Sequence, residues 1–374
     1  MRILFLTSAF PPESEGAATH LPELCESLQQ SGHRVSVLAV VNRHEIKDTY
    51  PFRVKRISRS QVSLVRSLRV LWNLINHGKK AQVIYTYGVW WQAAVASFIT
   101  GTPWVIKFVR DNIWEEQVEK GLTQDDLVPW NTGKKPFITS IRHGFTKCLA
   151  QLAKHSVVSC NTLCQLLIEW GIAREKIEII PNALPKNPKE EEEATYLAQW
   201  TEQEHIRLIT TGHISKAKNL ELTLEAIETK ENVRLVVVGD GPYLDKIKAV
   251  TLEKNMGDRV LFTGKVSRQD LAGYVKECDI LVMSSLLGHF NYVVLEALKQ
   301  SKAIFASRRG VHPDMIEHDE NGWLFSADNS QELFQLVDDF ENKNLMINQH
   351  DEDNTFSWES YVDQTNEVLN SVTH

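Results

Sequence analysis

The chain has 374 residues, of which 43% are hydrophobic, and carries a net charge of −7. This is enough apolar material for two domains of ordinary size. No apolar run approaches the roughly 20 residues that span a bilayer, and segment 1–8 is too short and strand-like for a signal peptide, so we expect a cytoplasmic protein. The five cysteines are few and odd in number, which favours reduced thiols, and they offer no matched pair for zinc.

The first half of the chain alternates strands and helices. A strand at 2–7, a helix at 21–31 and a strand at 34–40 form a βαβ unit, which implies a parallel sheet with right-handed crossovers. Further strands are predicted at 83–87, 104–108, 156–160 and 177–180. Prolines and the charge run Lys189–Glu193 then predict a hinge and linker.

The second half restarts the same alternation. Strands are predicted at 207–211, 234–239, 260–263 and 279–285, and helices at 220–229 and from 242. We therefore predict two doubly wound α/β domains, at 1–182 and 206–345, joined by a linker at 183–205, with a helix in 346–374 packing back on the first domain. Ligands of such sheets bind beyond the carboxyl ends of the strands, so we expect the site in a cleft between the facing domains.

Charge is unevenly distributed in the first half. From Thr49 to Arg110 there is no Asp or Glu, but there are ten Lys and Arg residues. Apolar residues of 62–75 follow helical spacing, which predicts an amphipathic helix with a cationic flank. Two interpretations stay open: the apolar side packs into the core, or residues 53–80 make peripheral contact with an anionic membrane or acceptor. Because no nucleic-acid motif accompanies the charge, we expect no nucleic acid partner.

The most informative segment is Gly288–Leu298, GHFNYVVLEAL, which follows an apolar strand and opens a helix. The amides of Asn291, Tyr292 and Val293 are expected to face a phosphate, with the helix dipole behind them. Glu296 lies one turn further in, where a carboxylate can accept hydrogen bonds from ribose hydroxyls.

Loops after the earlier strands of the second half add further candidates. Cations placed just after a strand end can neutralise a diphosphate, and Lys218 is a better candidate than Lys216, which we expect on the surface. Tight turns follow the next two strands at 239–242 and 262–266. The candidates in these loops are Gly212, His213, Lys218, Gly241 and Val266.

In the first half, Gly16 and Ala17 lie after the first strand, where small residues allow close approach of the backbone to a phosphate or sugar. The alternative is an ordinary strand-to-helix loop. Asp111 is placed either to accept hydrogen bonds from sugar hydroxyls or to cap the helix that follows it. Trp90 is either an apolar platform or a core residue. The acceptor-side candidates are Lys107, Arg110, Asp111 and Trp90.

The order and spacing of Lys218, Gly241, Val266 and Glu296 resemble the retaining glycosyltransferases of family 4, the glycosyl transferases group 1 type, which have the two-domain GT-B fold. The resemblance is good over 205–330 and looser before it. It implies transfer of a sugar from a UDP- or GDP-linked donor to a carbohydrate or lipid-linked acceptor hydroxyl, with retention of configuration. It also implies that neither a metal nor a separate cofactor is needed.

The resemblance assigns roles to particular residues. Lys218 takes the place of the phosphate-binding lysine. Asp111 falls in a Lys…Gly-Asp-x-x-Trp-Glu pattern, except that Arg110 replaces the glycine. Asp111, Lys218 and Glu296 are therefore expected to be catalytic. The loop with Val266 is expected to hold the nucleobase through backbone groups, and Gly16, Ala17, Gly212, His213 and Gly241 are expected to line the donor site.

The chain departs from the family pattern at three further positions. The first glutamate of the Glu-x7-Glu motif is Gly288, His213 stands where arginine is usual, and Ala17 replaces a glycine. These departures leave a second hypothesis open, a catalytically silent protein that binds a nucleotide sugar. If the enzyme is active, Gly288 is expected to leave room where the family's glutamate contacts the sugar, and His289 or Asp111 is expected to take over part of that contact. Gly288→Glu is then expected to restore transfer of neutral sugars.

Overall fold

The computed structural model describes residues 1–13, 16–42, 49–185, 196–200, 205–345 and 357–373. The predicted charge run at 189–193 lies outside the described residues, as does most of the predicted linker.

Strands and helices alternate along both halves of the chain. The strands of the described residues are β1 (Arg2–Thr7), β2 (Arg34–Val41), β3 (Arg53–Ser58), β4 (Val83–Tyr87), β5 (Trp104–Lys107), β6 (His155–Val158), β7 (Ile177–Ile179), β8 (Ile206–Thr211), β9 (Val233–Val238), β10 (Val260–Gly264), β11 (Ile280–Met283), β12 (Ala303–Ser307) and β13 (Trp323–Phe325). The helices are α1 (Leu21–Gln30), α2 (Ser63–Gly78), α3 (Trp90–Thr100), α4 (Asn112–Glu119), α5 (Leu127–Thr132), α6 (Phe137–Gln151), α7 (Asn161–Glu169), α8 (Leu220–Ile227), α9 (Leu244–Glu253), α10 (Arg268–Glu277), α11 (Tyr292–Lys299), α12 (His312–Met315), α13 (Ser330–Glu341) and α14 (Trp358–Ser371).

The described residues form two compact units. Unit 1 contains those within Met1–Arg110, Lys135–Pro185 and Asn354–His374, and unit 2 contains those within Asp111–Lys134 and Lys186–Asp353. The segment Asp111–Lys134 thus groups with unit 2, although the sequence placed it inside the first predicted domain. The reason is tertiary, because side chains of this segment hydrogen-bond to loops of unit 2.

Each unit is built on one parallel sheet. Sheet 1, in unit 1, has the order β3-β2-β1-β4-β5-β6-β7, and sheet 2, in unit 2, has the order β10-β9-β8-β11-β12-β13. Every pairing within the two sheets is parallel. The strand order reverses beside β1 and beside β8, which is the doubly wound arrangement. The prediction of two doubly wound α/β domains is confirmed.

Three strands were missed by the sequence patterns: β3, β12 and β13. The strand β3 forms an edge of sheet 1, and only its last two residues are buried. Edge strands tolerate charged side chains, so Arg53, Lys55 and Arg56 hid its strand character. The other predicted strands are present with ends shifted by at most two residues.

The core of unit 1 joins the apolar residues of β1, β2 and β4 to those of α1 and α14. The helix α14 packs directly on α1, with Trp358, Tyr361 and Leu369 buried. Unit 2 has its own core, in which α8 and α13 cover the buried residues of β8 and β9.

The apolar residues that predicted an amphipathic helix lie on the outside of α2. Leu64, Leu68 and Trp72 are 57–69% exposed, whereas Val70 and Leu74 fill the buried side. Most of this apolar stripe therefore does not pack into the core, although Leu71 and Ile75 are partly buried. No helix of the described ranges is both long and apolar enough to cross a membrane.

Candidate functional site

The predicted site residues of unit 2 lie in loops at the carboxyl ends of sheet 2, and these loops are bonded to one another. The loop after β11 contacts the loop after β8, where Ser284 Oγ donates to the Lys218 carbonyl at 3.1 Å and Ser285 Oγ donates to the Ala217 carbonyl at 3.2 Å. At the end of β12, Ser307 Oγ donates to the Ser285 carbonyl at 2.6 Å. The loops after three neighbouring strands therefore form one connected surface.

The loop after β9 packs backbone to backbone on the loop after β8. A Cβ at Gly241 would lie 2.3 Å from the Ile214 carbonyl oxygen, so this position admits only glycine without a shift of the chain. Gly212 and His213, in the same loop as Ile214, are exposed, and Val266 is partly buried after β10. These predicted residues therefore share the strand-end edge of sheet 2.

Lys218 is the most unusual group in this region. Its side chain is buried, and burial lowers its pKa from 10.5 to about 8. Burial is the cause of this shift, and no charged neighbour among the described residues opposes it. A buried ammonium without a counter-charge is costly, and an anion at this point would relieve that cost.

Glu296 is the second buried charged group at this edge, on α11. Its Oε1 accepts from Arg268 Nε at 3.4 Å, while its Oε2 is buried with no partner among the described residues. Burial raises the pKa of Glu296, and Arg268 partly opposes that rise. Arg268 is not among the residues predicted from the sequence, although the Ser267-x-x-Asp270 capping box marks it as the first residue of α10.

The beginning of α11 is capped from within the chain. Asn291 Oδ1 accepts the Val293 amide at 3.3 Å, so one of the three amides predicted to face a phosphate already has an acceptor. The Phe290 and Tyr292 rings meet at 5.9 Å beside this cap. The role of these amides in binding an anion stays a prediction.

Gly288 is held against a second loop of unit 2. Its φ is +52°, and a Cβ would lie 1.8 Å from the Arg309 carbonyl oxygen. Val311 N donates to the Gly288 carbonyl at 2.7 Å, and Gly310 N donates to Asp126 Oδ1 at 2.9 Å. The hypothesis that Gly288 leaves room for a side chain is therefore wrong, and Gly288→Glu is not expected to restore a sugar contact.

The helix α4 brings carboxylates to the same loops. Glu115 Oε1 lies 2.8 Å from His289 Nε2, and Glu119 Oε1 accepts from Ser215 Oγ at 2.6 Å. The two glutamates are four residues apart, so they share one face of α4. His289 therefore meets a carboxylate of its own unit. The sequence pattern contained Glu115, but only the fold reveals what it contacts.

Asp111 has the capping role that the sequence left open. Its Oδ1 accepts the amides of Ile113 at 2.9 Å and Trp114 at 3.2 Å, which begins α4. The side chain is buried, and Asn131 Nδ2 lies 3.4 Å from the other oxygen. The catalytic role of Asp111 stays a prediction.

Lys107 does not present a cation on the surface of unit 1. Its side chain is fully buried, Nζ donates to the Ile180 carbonyl at 3.0 Å, and the ammonium lies 5.3 Å from the centre of the Tyr361 ring. Burial lowers its pKa to about 7. The prediction that Lys107 offers a cation to an acceptor is corrected, because the core of unit 1 encloses it.

The other candidates of unit 1 lie after its strands. Gly16 begins a short 3-10 helix with φ of +55°, and Ala17 beside it is partly buried. Trp90 opens α3, with its ring 5.7 Å from that of Phe108 and its indole nitrogen buried. Arg110 is exposed. The binding roles of all four residues stay predictions.

Both halves of the chain match known domain families. Residues 194–355 match the model for glycosyl transferases group 1, and residues 15–183 match the model for a glycosyl transferase 4-like domain. The two matches together span most of the chain, so each half is similar to a glycosyltransferase domain.

Two relatives cover most of this sequence. An uncharacterized glycosyltransferase of Methanocaldococcus jannaschii is 21% identical and aligns with 98% of this chain and 97% of its own. The alpha-monoglucosyldiacylglycerol synthase of Streptococcus pneumoniae is 24% identical, with coverage of 82% and 71%.

Solved structures match the fold over its full length. Anabaena HepE, in complex with UDP and glucose, has a TM-score of 0.80 at 19% identity, covering 99% of this chain and 100% of its own. Sucrose-phosphate synthase from Thermosynechococcus elongatus has a TM-score of 0.77 at 17% identity, covering 100% and 99%. These matches confirm the GT-B fold class.

Proposed function

We propose that this protein transfers a sugar from a nucleoside diphosphate sugar to an acceptor hydroxyl with retention of anomeric configuration. The observation that carries the proposal is the pair of buried charged groups at the strand-end edge of unit 2, Lys218 and Glu296. A diphosphate supplies the negative charge that Lys218 Nζ lacks, and ribose hydroxyls supply the donors that Glu296 Oε2 lacks. The UDP in the HepE structure favours a UDP-linked donor over a GDP-linked one.

The proposed reaction proceeds on one face of the sugar. The bond from the anomeric carbon to the diphosphate oxygen breaks, and its electron pair stays on the phosphate. The acceptor oxygen bonds to the same carbon on the same face, and its proton passes to the departing phosphate. Lys218 stabilises the charge that develops on the phosphate, so the protein contributes positioning and electrostatic stabilisation. The mechanism requires no metal ion.

We further propose that Glu115 contacts the transferred sugar. The backbone at Gly288 has no room for a side chain, and His289 next to it meets Glu115 at 2.8 Å. Glu115 thus brings a carboxylate to the loop where the family pattern has its first glutamate. Carboxylates of this kind accept hydrogen bonds from sugar hydroxyls.

The acceptor in this proposal is a carbohydrate or a lipid-linked hydroxyl, and residues 53–80 make peripheral contact with an anionic membrane. The support is the outward apolar stripe of α2, with Arg66 and Arg69 on the same helix. The relative from Streptococcus pneumoniae is named for a glycolipid product, which agrees with a lipid-linked acceptor.

Donor binding is the first test. Calorimetry with UDP-glucose is expected to show affinity losses of about 1.5–3 kcal/mol for Lys218→Ala and for Glu296→Ala, the scale of a lost charge-assisted hydrogen bond. Lys216→Ala is the matched control, because Lys216 is an exposed lysine of the same turn. Equal UDP-glucose affinity in the parent and in both site variants would refute the proposed donor site.

Catalysis is the second test, and it separates the transferase from a silent binder. The protein is incubated with UDP- and GDP-linked sugars and simple glycoside or glycolipid acceptors, and products are detected by mass spectrometry. Nuclear magnetic resonance of the product then reports its anomeric configuration. Donor binding that depends on Lys218, without transfer or donor hydrolysis for any donor, would identify the silent nucleotide-sugar-binding protein. An inverted product would refute retention.

A further inference from the structure

Exposed apolar side chains are concentrated on three helices of unit 1. The most exposed include Leu64, Leu68 and Trp72 on α2, Phe98 on α3, and Ile138 and Phe145 on α6, at 57–90% exposure. Among the described residues of unit 2, large exposed hydrophobic side chains are found at Leu122 and Leu252. Single exposed apolar residues are ordinary on a protein surface, but a concentration of them indicates an interaction surface.

The helix α6 has its apolar side facing outward. Thr139 and His143 are buried, whereas Ile138, Ile141 and Phe145 are exposed along one stripe at i, i+3 and i+7 spacing. A surface helix whose outer side contacts only water has the opposite arrangement, with apolar residues facing the core and polar residues facing the solvent. The outer side of α6 is therefore suited to an apolar environment.

The three helices lie side by side. The helix α3 packs against both α2 and α6. Each of the three precedes a strand that lies further toward the β7 edge of sheet 1, so right-handed crossovers place them on the same face of the sheet. The outward apolar stripes of α2, α3 and α6 thus form one surface, which we name the α2–α3–α6 face.

The three helices of the α2–α3–α6 face carry basic residues and no acidic residue. The helices α2 and α3 lie within the stretch from Thr49 to Arg110, which has no Asp or Glu. The helix α6 lies within a second such stretch, 127–168, which contains five Lys and Arg residues and no acid. Arg69 and Arg142 are exposed on α2 and α6. The face is thus cationic although the whole chain carries a net charge of −7.

We infer that the α2–α3–α6 face docks on an anionic phospholipid bilayer, with its aromatic and aliphatic side chains in the headgroup region and its cations at the lipid phosphates. This combination of an apolar stripe and basic flanks is the signature of interfacial helices. A symmetric contact between two copies would place this acid-free face against itself, and like charges oppose that arrangement. The inference rests on the membrane contact of the proposed function and extends it from residues 53–80 to α3 and α6.

The test is co-sedimentation of the full chain with vesicles. We expect binding to phosphatidylcholine vesicles that contain about 30% phosphatidylglycerol, and little binding to phosphatidylcholine alone. The double variant Ile138→Gln/Phe145→Gln is expected to bind at least about tenfold more weakly, since two apolar side chains no longer enter the interface. Arg69→Gln and Arg142→Gln are each expected to lower binding about fivefold. Leu252→Gln is the matched control, an exposed leucine of unit 2.

Three results would overturn the inference: no vesicle binding by the parent, equal binding to neutral and anionic vesicles, or unchanged binding by the α6 double variant. A fourth such result would come from light scattering, if the parent formed a dimer that the α6 double variant does not form and the parent did not bind vesicles. Donor binding is measured in parallel. Lys218→Ala is expected to lose donor affinity and still sediment with vesicles, so failure of the donor site and failure of the docking face are distinguishable.

Discussion

Gly288 provides the sharpest test of the structure, because the family pattern and the local geometry predict opposite results there. A Cβ at this position would lie 1.8 Å from the Arg309 carbonyl oxygen, and φ is +52°. The left-handed backbone costs a non-glycine residue about 1–2 kcal/mol, and forcing two loops apart costs about 1–3 kcal/mol more. We therefore expect Gly288→Ala to lower the free energy of unfolding by about 2–5 kcal/mol.

The matched control is Gly264→Ala, which lies in the same unit. Its φ is +70°, but a Cβ there would meet no atom within 4 Å, so the expected loss is only the conformational cost of about 1–2 kcal/mol. Urea unfolding followed by circular dichroism gives the free energy of unfolding of both variants. The dependence of that free energy on urea concentration should be the same in the parent and the variants. Equal midpoints for the two variants would refute the argument that backbone contact excludes a side chain at 288. A stable Gly288→Glu protein with increased sugar transfer would refute it as well.

Three further predictions concern charged groups. UDP-glucose affinity is expected to be constant below the Lys218 pKa of about 8 and to fall by up to about tenfold per pH unit above it, because Lys218 must then take up a proton on binding. Calorimetry at several pH values is expected to find no such fall in Lys218→Arg, since arginine stays charged. The pKa of Lys107 is about 7 in the folded protein and 10.5 in the unfolded chain, so between these pH values only the unfolded chain holds the proton. The free energy of unfolding of the parent is therefore expected to rise with pH in this range, by up to about 1.4 kcal/mol per pH unit relative to Lys107→Met. Urea unfolding that shows the same pH dependence for both proteins would contradict this. Glu115→Gln is expected to reduce sugar transfer at least about tenfold and to leave UDP affinity within about twofold of the parent. The control is Glu116→Gln, which removes an ion pair with Lys120 and is expected to change neither quantity. A loss of UDP affinity in Glu115→Gln would count against a sugar contact.

The alternation of strands and helices, and hence the two parallel sheets, could be predicted from local residue patterns. Lys218 and Glu296 could be selected because one lies in the loop and the other in the helix that follows a predicted strand, and the carboxyl ends of parallel strands share one edge. These inferences depend on local order along the chain. Burial of both side chains agrees with their selection, while their roles await the binding experiments.

Features that depend on contacts between residues far apart in the chain could not be predicted from local patterns. The exclusion of a side chain at Gly288 comes from a loop about twenty residues away, and the grouping of Asp111–Lys134 with unit 2 comes from hydrogen bonds to three of its loops. Helical spacing revealed the apolar stripe of α2 but not its direction, because periodicity defines a face and packing decides whether that face turns inward. The sequence placed Lys107 at a strand end, and the packing of α14 enclosed it.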